Sequence, residues 1–250
     1  MHVISGVRFV VAAADHGATF DALLVAPSLL RKVAASMVAR RLRARGVPVT
    51  RVDAPTFAAL FPDREPQGIA AIVRHVERDA SAIAPPSSLW IALSSVKSAG
   101  NLGTMMRTAV AVGAAGVVAI GETIDPFWPD AVRASMGASS ALSVVRTTLE
   151  GLRAEATRHR VRLVGASPDG GVDYRCVDFR SPTVLLLGAE RTGLSIDERR
   201  ACDQLVRIPM RSRLDSLNLA VATSVLLYEA HGQRHPVARA RRAEMRARSC

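Results

Sequence analysis

The chain has 250 residues, 49% of them hydrophobic and 22% charged, a balance that excludes a disordered or collagen-like polypeptide and leaves room for a substantial core. Its 33 basic residues against 22 acidic ones give a formal charge of +11, which points to a polyanionic partner. Three widely separated cysteines, Cys176, Cys202 and Cys250, make neither a disulfide framework nor a CxxC zinc knuckle, so a reducing, cytoplasmic setting with no bound metal is expected.

The opening run MHVISGVRFVVAAADHG carries Arg8 inside a short apolar stretch and has no basic leader, which argues against a signal peptide. The longest charge-free stretch, Ala80 to Val96, is broken by Pro85 and Pro86 and falls short of the roughly 20 residues of a membrane span. A soluble protein with no membrane partner is expected.

In chain order, Ala22 to Ala26 reads as a buried strand. Ser28 then caps a helix in which Leu30, Val33 and Met37 share the buried face, with Gly46 at its end. Pro48 to Val52 reads as a second strand, Pro55 to Leu60 as a short helix, and Gly68 to Val73 as a third strand after the turn FPDREPQ. This is a small α/β module, and it is basic. From Pro27 to Val52 it holds Arg31, Lys32, Arg40, Arg41, Arg43, Arg45 and Arg51 with no acid, and the only lysines of the chain are Lys32 and Lys97. Arginine forks suit phosphate. The segment DASAIAPPSS, residues 79–88, is proline-rich and uncharged after its first residue, which places a linker there between residues 1–78 and 89–232. Residues 233–250 read as a basic tail.

Beyond the linker the pattern alternates: strand Leu89 to Leu93, helix Leu102 to Val112, strand Gly116 to Ile120, helix Pro129 to Met136 and helix Leu149 to His159. Strands follow at Val161 to Gly165, Thr183 to Leu187 and Leu205 to Ile208, then a helix from Leu217 to Ala230. Alternation of this kind predicts an α/β fold with a mostly parallel sheet covered on both faces, and ligands of such sheets bind beyond the carboxyl ends of the strands.

Three loops at predicted strand ends combine glycines with isolated polar residues. In SAGNLGTMMRTA, residues 98–109, a helix would place Leu102, Met105, Met106, Ala109 and Val112 on one side and Arg107 on the other. Arg107 is the only charge between Ser98 and Gly121, so it has either an acidic partner or a functional one. In GAERTGLS, residues 188–195, the glycines allow a close backbone approach to a ligand, and Glu190 either faces the crevice or caps a helix. In IPMRSRLDSLN, residues 208–218, Ser216 and Asn218 precede a helix with no charge from Ser216 to Tyr228. They are expected to be buried polar groups, capping that helix or serving the site.

These residues resemble a known family. Asn101-x-Gly103-x-x-x-Arg107-Thr108-Ala109, then Leu187-Gly188-Ala189-Glu190-x-x-Gly193-Leu194, then Ile208-Pro209-Met210 with Ser216-Leu217-Asn218 look like the three ordered motifs of the SPOUT superfamily, specifically its SpoU/TrmH-type RNA 2′-O-ribose methyltransferases. The N-terminal module, ending in Gln67-Gly68-Ile69-Ala70, resembles the ribosomal-protein-like substrate-binding domain of the ribosomal RNA members. The resemblance implies a trefoil-knotted methyltransferase domain with a small N-terminal domain, a homodimer with the last helix in its interface, and an active site drawing on both subunits. It implies S-adenosylmethionine as cofactor, contacted by Leu187, Gly188, Ile208, Met210 and Leu217. Asn101, Arg107, Glu190, Ser216 and Asn218 take the catalytic and ribose-handling positions, and Arg31, Lys32, Arg40, Arg41 and Arg43 become the candidate RNA contacts.

The implied reaction is attack of a ribose 2′-hydroxyl on the sulfonium methyl, which chiefly demands alignment and removal of a proton. In this family the arginine at the position of Arg107 is proposed as the base. A guanidinium is a poor proton acceptor, so a phosphate clamp by Arg107 with Asn101 orienting the hydroxyl stands beside that role. The sequence departs from many relatives in SSVKSAG before Asn101 and in Leu219-Ala220 after Asn218. No GxGxxG, P-loop or GxSxG elbow supports another enzyme class. The expected substrate is 23S ribosomal RNA, and protection against ribosome-targeting antibiotics is a role the resemblance allows. Transfer RNA as substrate, or a non-catalytic assembly factor, are the alternatives.

Overall fold

The computed structural model describes residues 1–62, 65–74, 77–84, 88–123, 125–211 and 216–236. Along the chain run β1 (His2–Ser5), α1 (Val7–Asp15), β2 (Thr19–Val25), α2 (Val33–Ala44), β3 (Val49–Arg51), α3 (Ala54–Leu60), β4 (Ile69–Arg74) and β5 (Glu77–Arg78). Then follow β6 (Leu89–Ser94), α4 (Ala99–Ala111), β7 (Gly116–Ile120), α5 (Pro129–Ser135), β8 (Ser143–Thr147), α6 (Leu149–His159) and β9 (Arg162–Ala166). The last elements are β10 (Val172–Asp173), β11 (Thr183–Leu187), α7 (Ile196–Ala201), β12 (Gln204–Arg207) and α8 (Leu219–Arg234). Among the described residues, no helix is long and apolar enough to cross a membrane.

The larger sheet has eight strands in the order β10-β12-β9-β11-β6-β7-β8-β5, and every pairing in it is parallel. Its central strands, LWIALS, GVVAI and TVLLL, are buried along their whole length, as continuous apolar runs in a doubly covered parallel sheet should be. Successive side chains go to opposite layers. Ile91, Leu93, Leu185 and Leu187 join Met105, Met106 and Leu226 on one face, while Trp90, Ala92, Val184 and Leu186 join Leu152 and Ala156 on the other. From β6 the chain steps outward to β7 and β8, then returns to the far side of β11 for β9. The order reverses there, so the carboxyl ends of β6, β11, β9 and β12 converge beside one crevice.

The smaller sheet, β1-β4-β2-β3, is mixed. The two lobes are not separately enclosed. Phe127, Val132 and Val144 belong to the same buried cluster as Ile4, Val10 and Leu42, and the His2 ring stacks on Phe127 with centroids 5.0 Å apart. β5, at the end of the N-terminal segment, is the edge strand of the larger sheet, paired with β8.

Several expectations are corrected. The apolar run around Arg8 forms β1 and α1, divided at Gly6; Arg8 sits on the exposed side of α1, so its charge interrupts the run without interrupting the helix. The helix expected from Ser28 begins at Val33, because residues 27–29 close a separate 3-10 turn. Its buried face is Ala35, Val38 and Leu42, whereas Val33 and Met37 are 76% and 64% exposed. Leu30 precedes the helix, and Val33 and Met37 fall roughly 150° around it from the buried stripe, which joins the cluster of the smaller sheet. β8, β10 and α7 are short elements absent from the sequence reading. Residues 85–87 of the expected linker, residues 212–215 of the third motif and the tail from 237 onward lie outside the described residues.

Candidate active site

Four loops leave the convergent strand ends. The first, from Ser95 to Ser98, runs into α4, where the Ser98 hydroxyl accepts the Asn101 N–H at 3.2 Å as N-cap. The second is held in a tight turn by two reciprocal backbone bonds between Ala189 and Gly193, at 3.1 and 2.9 Å. Gly188 at its base has no room for a side chain. A Cβ there would collide with the Gly193 carbonyl carbon and lie 2.5 Å from the Leu194 nitrogen. The fourth loop ends at Asn218, whose side-chain oxygen caps α8 by accepting the Ala220 and Val221 N–H groups at 2.9 and 3.3 Å.

These caps are joined through Glu190. Its carboxylate accepts the Ser98 N–H at 3.0 Å, the Lys97 N–H at 3.3 Å and the Asn101 side-chain amide at 3.4 Å. The Asn101 oxygen in turn accepts the Asn218 amide at 3.1 Å. Each orientation is forced: a carboxylate only accepts, so Asn101 must donate to it, and Asn218 must donate onward because its own oxygen is used by α8. Three residues from three motifs therefore form one polar chain that ties the first turns of α4 and α8 to the second loop.

Burial pushes the Glu190 carboxyl up, but the hydrogen bonds from Ser98, Lys97 and Asn101, with its own backbone N–H, outweigh it and hold it below the usual glutamate value of 4.5. A depressed carboxyl stabilises the fold above that value and loses its contribution as the pH falls through the native one. The wild-type melting temperature should thus fall on acidification from about pH 5 to about pH 3 more steeply than that of Glu190→Gln. The variant should be the less stable near neutrality, because a glutamine amide group facing the Ser98 N–H would be an unmatched donor. Parallel melting curves would refute this.

Beside the polar chain lies a cavity of about 320 Å³ lined by Leu187, Gly188, Ile208, Met210 and Leu217, with Glu190 and Ser216 at its rim. All five expected cofactor contacts thus line the same cavity. Its size falls within the range of small-molecule sites. Ser216 and Asn218 are exposed rather than buried, since α8 starts at Leu219 and the charge-free run begins three residues before it.

Arg107 is not part of this assembly. It lies on the exposed side of α4, about 9 Å along the axis and roughly 120° around from Asn101, while Leu102, Met105, Met106 and Ala109 are buried. The acidic partner expected for it is absent among the described residues. Of the candidate RNA contacts, all of Arg31, Lys32, Arg40, Arg41 and Arg43 are exposed. Arg41 pairs with Asp15 at 2.8 Å and Arg31 with Glu65 at 3.5 Å, whereas Lys32, Arg40 and Arg43 make no ion pair with a described residue.

One set of cavity residues escaped the sequence reading: Ser167 and Asp169 in the third loop, after β9, and Arg199 on α7. The available signal was the turn Ser167-Pro168-Asp169-Gly170-Gly171 at a predicted strand end.

Residues 88–228 match the model of the SpoU rRNA Methylase family, and residues 3–78 match that for RNA 2′-O ribose methyltransferase substrate binding. The chain is 40% identical over 145 residues to the 23S rRNA (uridine(2479)-2′-O)-methyltransferase of Streptomyces viridochromogenes, a match covering 55% of this chain and only half of that relative's length. The crystal structure of the SpoU methyltransferase AviRb from Streptomyces viridochromogenes in complex with the cofactor AdoMet superposes with a TM-score of 0.81 at 32% identity, over 93% of this chain and 89% of that one. An rRNA methyltransferase from Sinorhizobium meliloti superposes with a TM-score of 0.80 at 34% identity, over 95% and 88% of the two chains. With both family models matched in order, and the three motif loops gathered at one crevice, the chain belongs to the SpoU rRNA methylase family.

Proposed function

We propose that the protein methylates the ribose 2′-hydroxyl of a nucleotide in RNA, with S-adenosylmethionine as donor and 23S ribosomal RNA as substrate. The observation that carries this reading is the convergence of the three motif loops, Glu190–Asn101–Asn218 forming a polar chain at the rim of a cavity of cofactor size. The cavity fits the cofactor. It offers apolar walls from Leu187, Ile208, Met210 and Leu217, and at Gly188 a backbone that no side chain obstructs. When bound, S-adenosylmethionine supplies an electrophilic methyl group on a sulfonium.

The chain's own residues align the acceptor. Asn101, fixed by Glu190 and Asn218, orients the hydroxyl, and the Arg107 fork grips the adjoining phosphate. The Glu190 carboxylate is already saturated with donors and holds the loops together instead of taking the proton. Asp169, the other carboxylate of the described cavity wall, is engaged by Arg199, which leaves the RNA phosphate or solvent to receive the proton.

The protein works as a homodimer in the cytoplasm in this reading. Support comes from α8, whose outward face shows Val221 at 50% and Tyr228 at 57% exposure, seven residues apart on one stripe, and from Arg107, which is exposed and does not line the cavity of its own chain. The trefoil knot belongs to the same proposal, favoured by the path from β11 past β9 to β12 and back to α8, which packs on α4 through Thr108 and Ser224.

Residues 1–78 supply RNA contacts through α2, with residues 79–88 as linker, 89–232 as the methyltransferase domain and 233–250 as tail. Binding of RNA should weaken as salt is raised, and Arg40→Ala and Arg43→Ala should each lower the salt slope by roughly one. Arg41→Ala should do less, because Asp15 already neutralises it. A salt-independent affinity would remove the basic surface from the mechanism.

The decisive experiment is transfer of labelled methyl to deproteinised ribosomal RNA, transfer RNA and assembled subunits, followed by alkaline hydrolysis. An alkali-resistant dinucleotide from ribosomal RNA is expected. Label confined to transfer RNA would change the substrate, and cofactor binding with no label in any RNA would favour an assembly factor.

A further inference from the structure

The guanidinium of Arg199 ties together three segments around the cavity. Its Nη1 and Nη2 donate to the two Asp169 oxygens at 2.9 and 3.0 Å, Nη2 donates also to the Ser167 hydroxyl at 2.9 Å, and Nε donates to the Leu194 carbonyl at 3.2 Å. Asp169 and Ser167 belong to the loop after β9, Leu194 to the loop after β11, and Arg199 itself to α7. Ser167, Asp169, Gly188, Gly193 and Arg199 all line the cavity. The loop after β9 is fastened at its other end as well, since Arg207 donates to the Gly170 carbonyl at 2.8 Å.

What makes Arg199 more than one more surface ion pair is the element that carries it. α7 is six residues long and buries none of them, so little apolar packing holds it against the sheet. A bidentate fork to a carboxylate, with a third bond to Ser167 of the same loop and a fourth to the loop after β11, fixes it by direction instead. None of Ser167, Asp169 or Arg199 belongs to a buried apolar cluster, so removing this tie loosens the cavity wall and leaves the core in place.

We propose that Arg199 is a positioning residue for the cofactor: it latches the loops after β9 and β11 into the walls that S-adenosylmethionine is held between. This rests on the cofactor reading above. Arg199 first, and then Ser167, holds the Asp169 carboxyl far below the usual carboxylate range, so it is ionised and can accept both bonds of the fork at neutral pH.

The test is calorimetric titration of S-adenosylhomocysteine into the full chain and its Arg199→Ala, Arg199→Lys and Asp169→Asn variants, with amide hydrogen exchange on each free protein. Arg199→Ala and Asp169→Asn should each weaken binding roughly tenfold, and the double variant should be no worse than either, because the two act through one another. Arg199→Lys should fall between, since an ammonium cannot reproduce the fork. Exchange should accelerate in residues 167–170 and 188–195 and stay unchanged in β6, β7 and β11. With saturating RNA, the KM for S-adenosylmethionine should rise while kcat holds. Wild-type affinity in folded Arg199→Ala, or losses that add in the double variant, would overturn the latch. A wild-type chain that binds no S-adenosylhomocysteine would overturn the cofactor reading itself, and the latch with it.

Discussion

Arg107→Ala is expected to lower methyl transfer by roughly 10²- to 10³-fold, the cost of deleting one aligned charged donor, while S-adenosylhomocysteine affinity and melting temperature stay at wild-type values. The side chain is exposed and makes no ion pair with a described residue, so its loss opens no cavity and strands no buried charge. Arg107→Lys should recover little, because one ammonium cannot grip a phosphate with two parallel bonds. Its direction on α4, away from Asn101, allows a sharper experiment. If each site takes its arginine from the other subunit, mixing inactive Arg107→Ala and Asn101→Ala chains should restore about a quarter of the activity, since half the dimers then hold one complete site. No restoration in a confirmed mixed dimer would place Arg107 in the site of its own chain and sink the shared arrangement.

The second large effect concerns Gly188. Gly188→Ala is expected to abolish cofactor binding and to cost about 3 kcal/mol of stability or more, read from denaturant melts and from the same calorimetric titration. The added methyl would meet backbone atoms of Gly193 and Leu194, which cannot rotate away as a side chain can. The 188–195 loop would have to open, breaking the Ala189–Gly193 bonds and carrying Glu190 off the Ser98 and Lys97 N–H groups. A variant with native affinity would mean that the loop is far softer than this geometry implies.

Legibility in the sequence followed the range of the forces involved. β7, β11 and α6 were read to the residue, because a buried parallel strand is a continuous apolar run and α6 opens with a side-chain cap at Thr148. The face of α2 was misread because two stripes of equal spacing compete on it, and only the sheet beneath decides between them. The first fifteen residues carry no clear period because Phe9, Val11 and Ala12, only partly buried, sit among the buried Val7, Val10, Ala13 and Ala14 and make α1 apolar on most sides. At the candidate site, Asn101, Glu190 and Asn218 are singled out by the family resemblance, but their mutual bonds span 89 and 117 residues of sequence, beyond any local pattern. Arg199 and Asp169, 30 residues apart, form a pair of the same long-range kind with no motif to mark it.

The buried cluster shared by the two lobes, with His2 stacked on Phe127, removes slack between the basic helix and the crevice. The molecule then acts as a gauge of fixed span. If α2 and Asn101 are the RNA contacts proposed above, an RNA would have to bring a stretch of backbone to one and a free ribose to the other at the separation the protein dictates, and any bending would fall on the nucleic acid. Selection of a nucleotide can therefore rest on RNA shape as much as on the identity of its base.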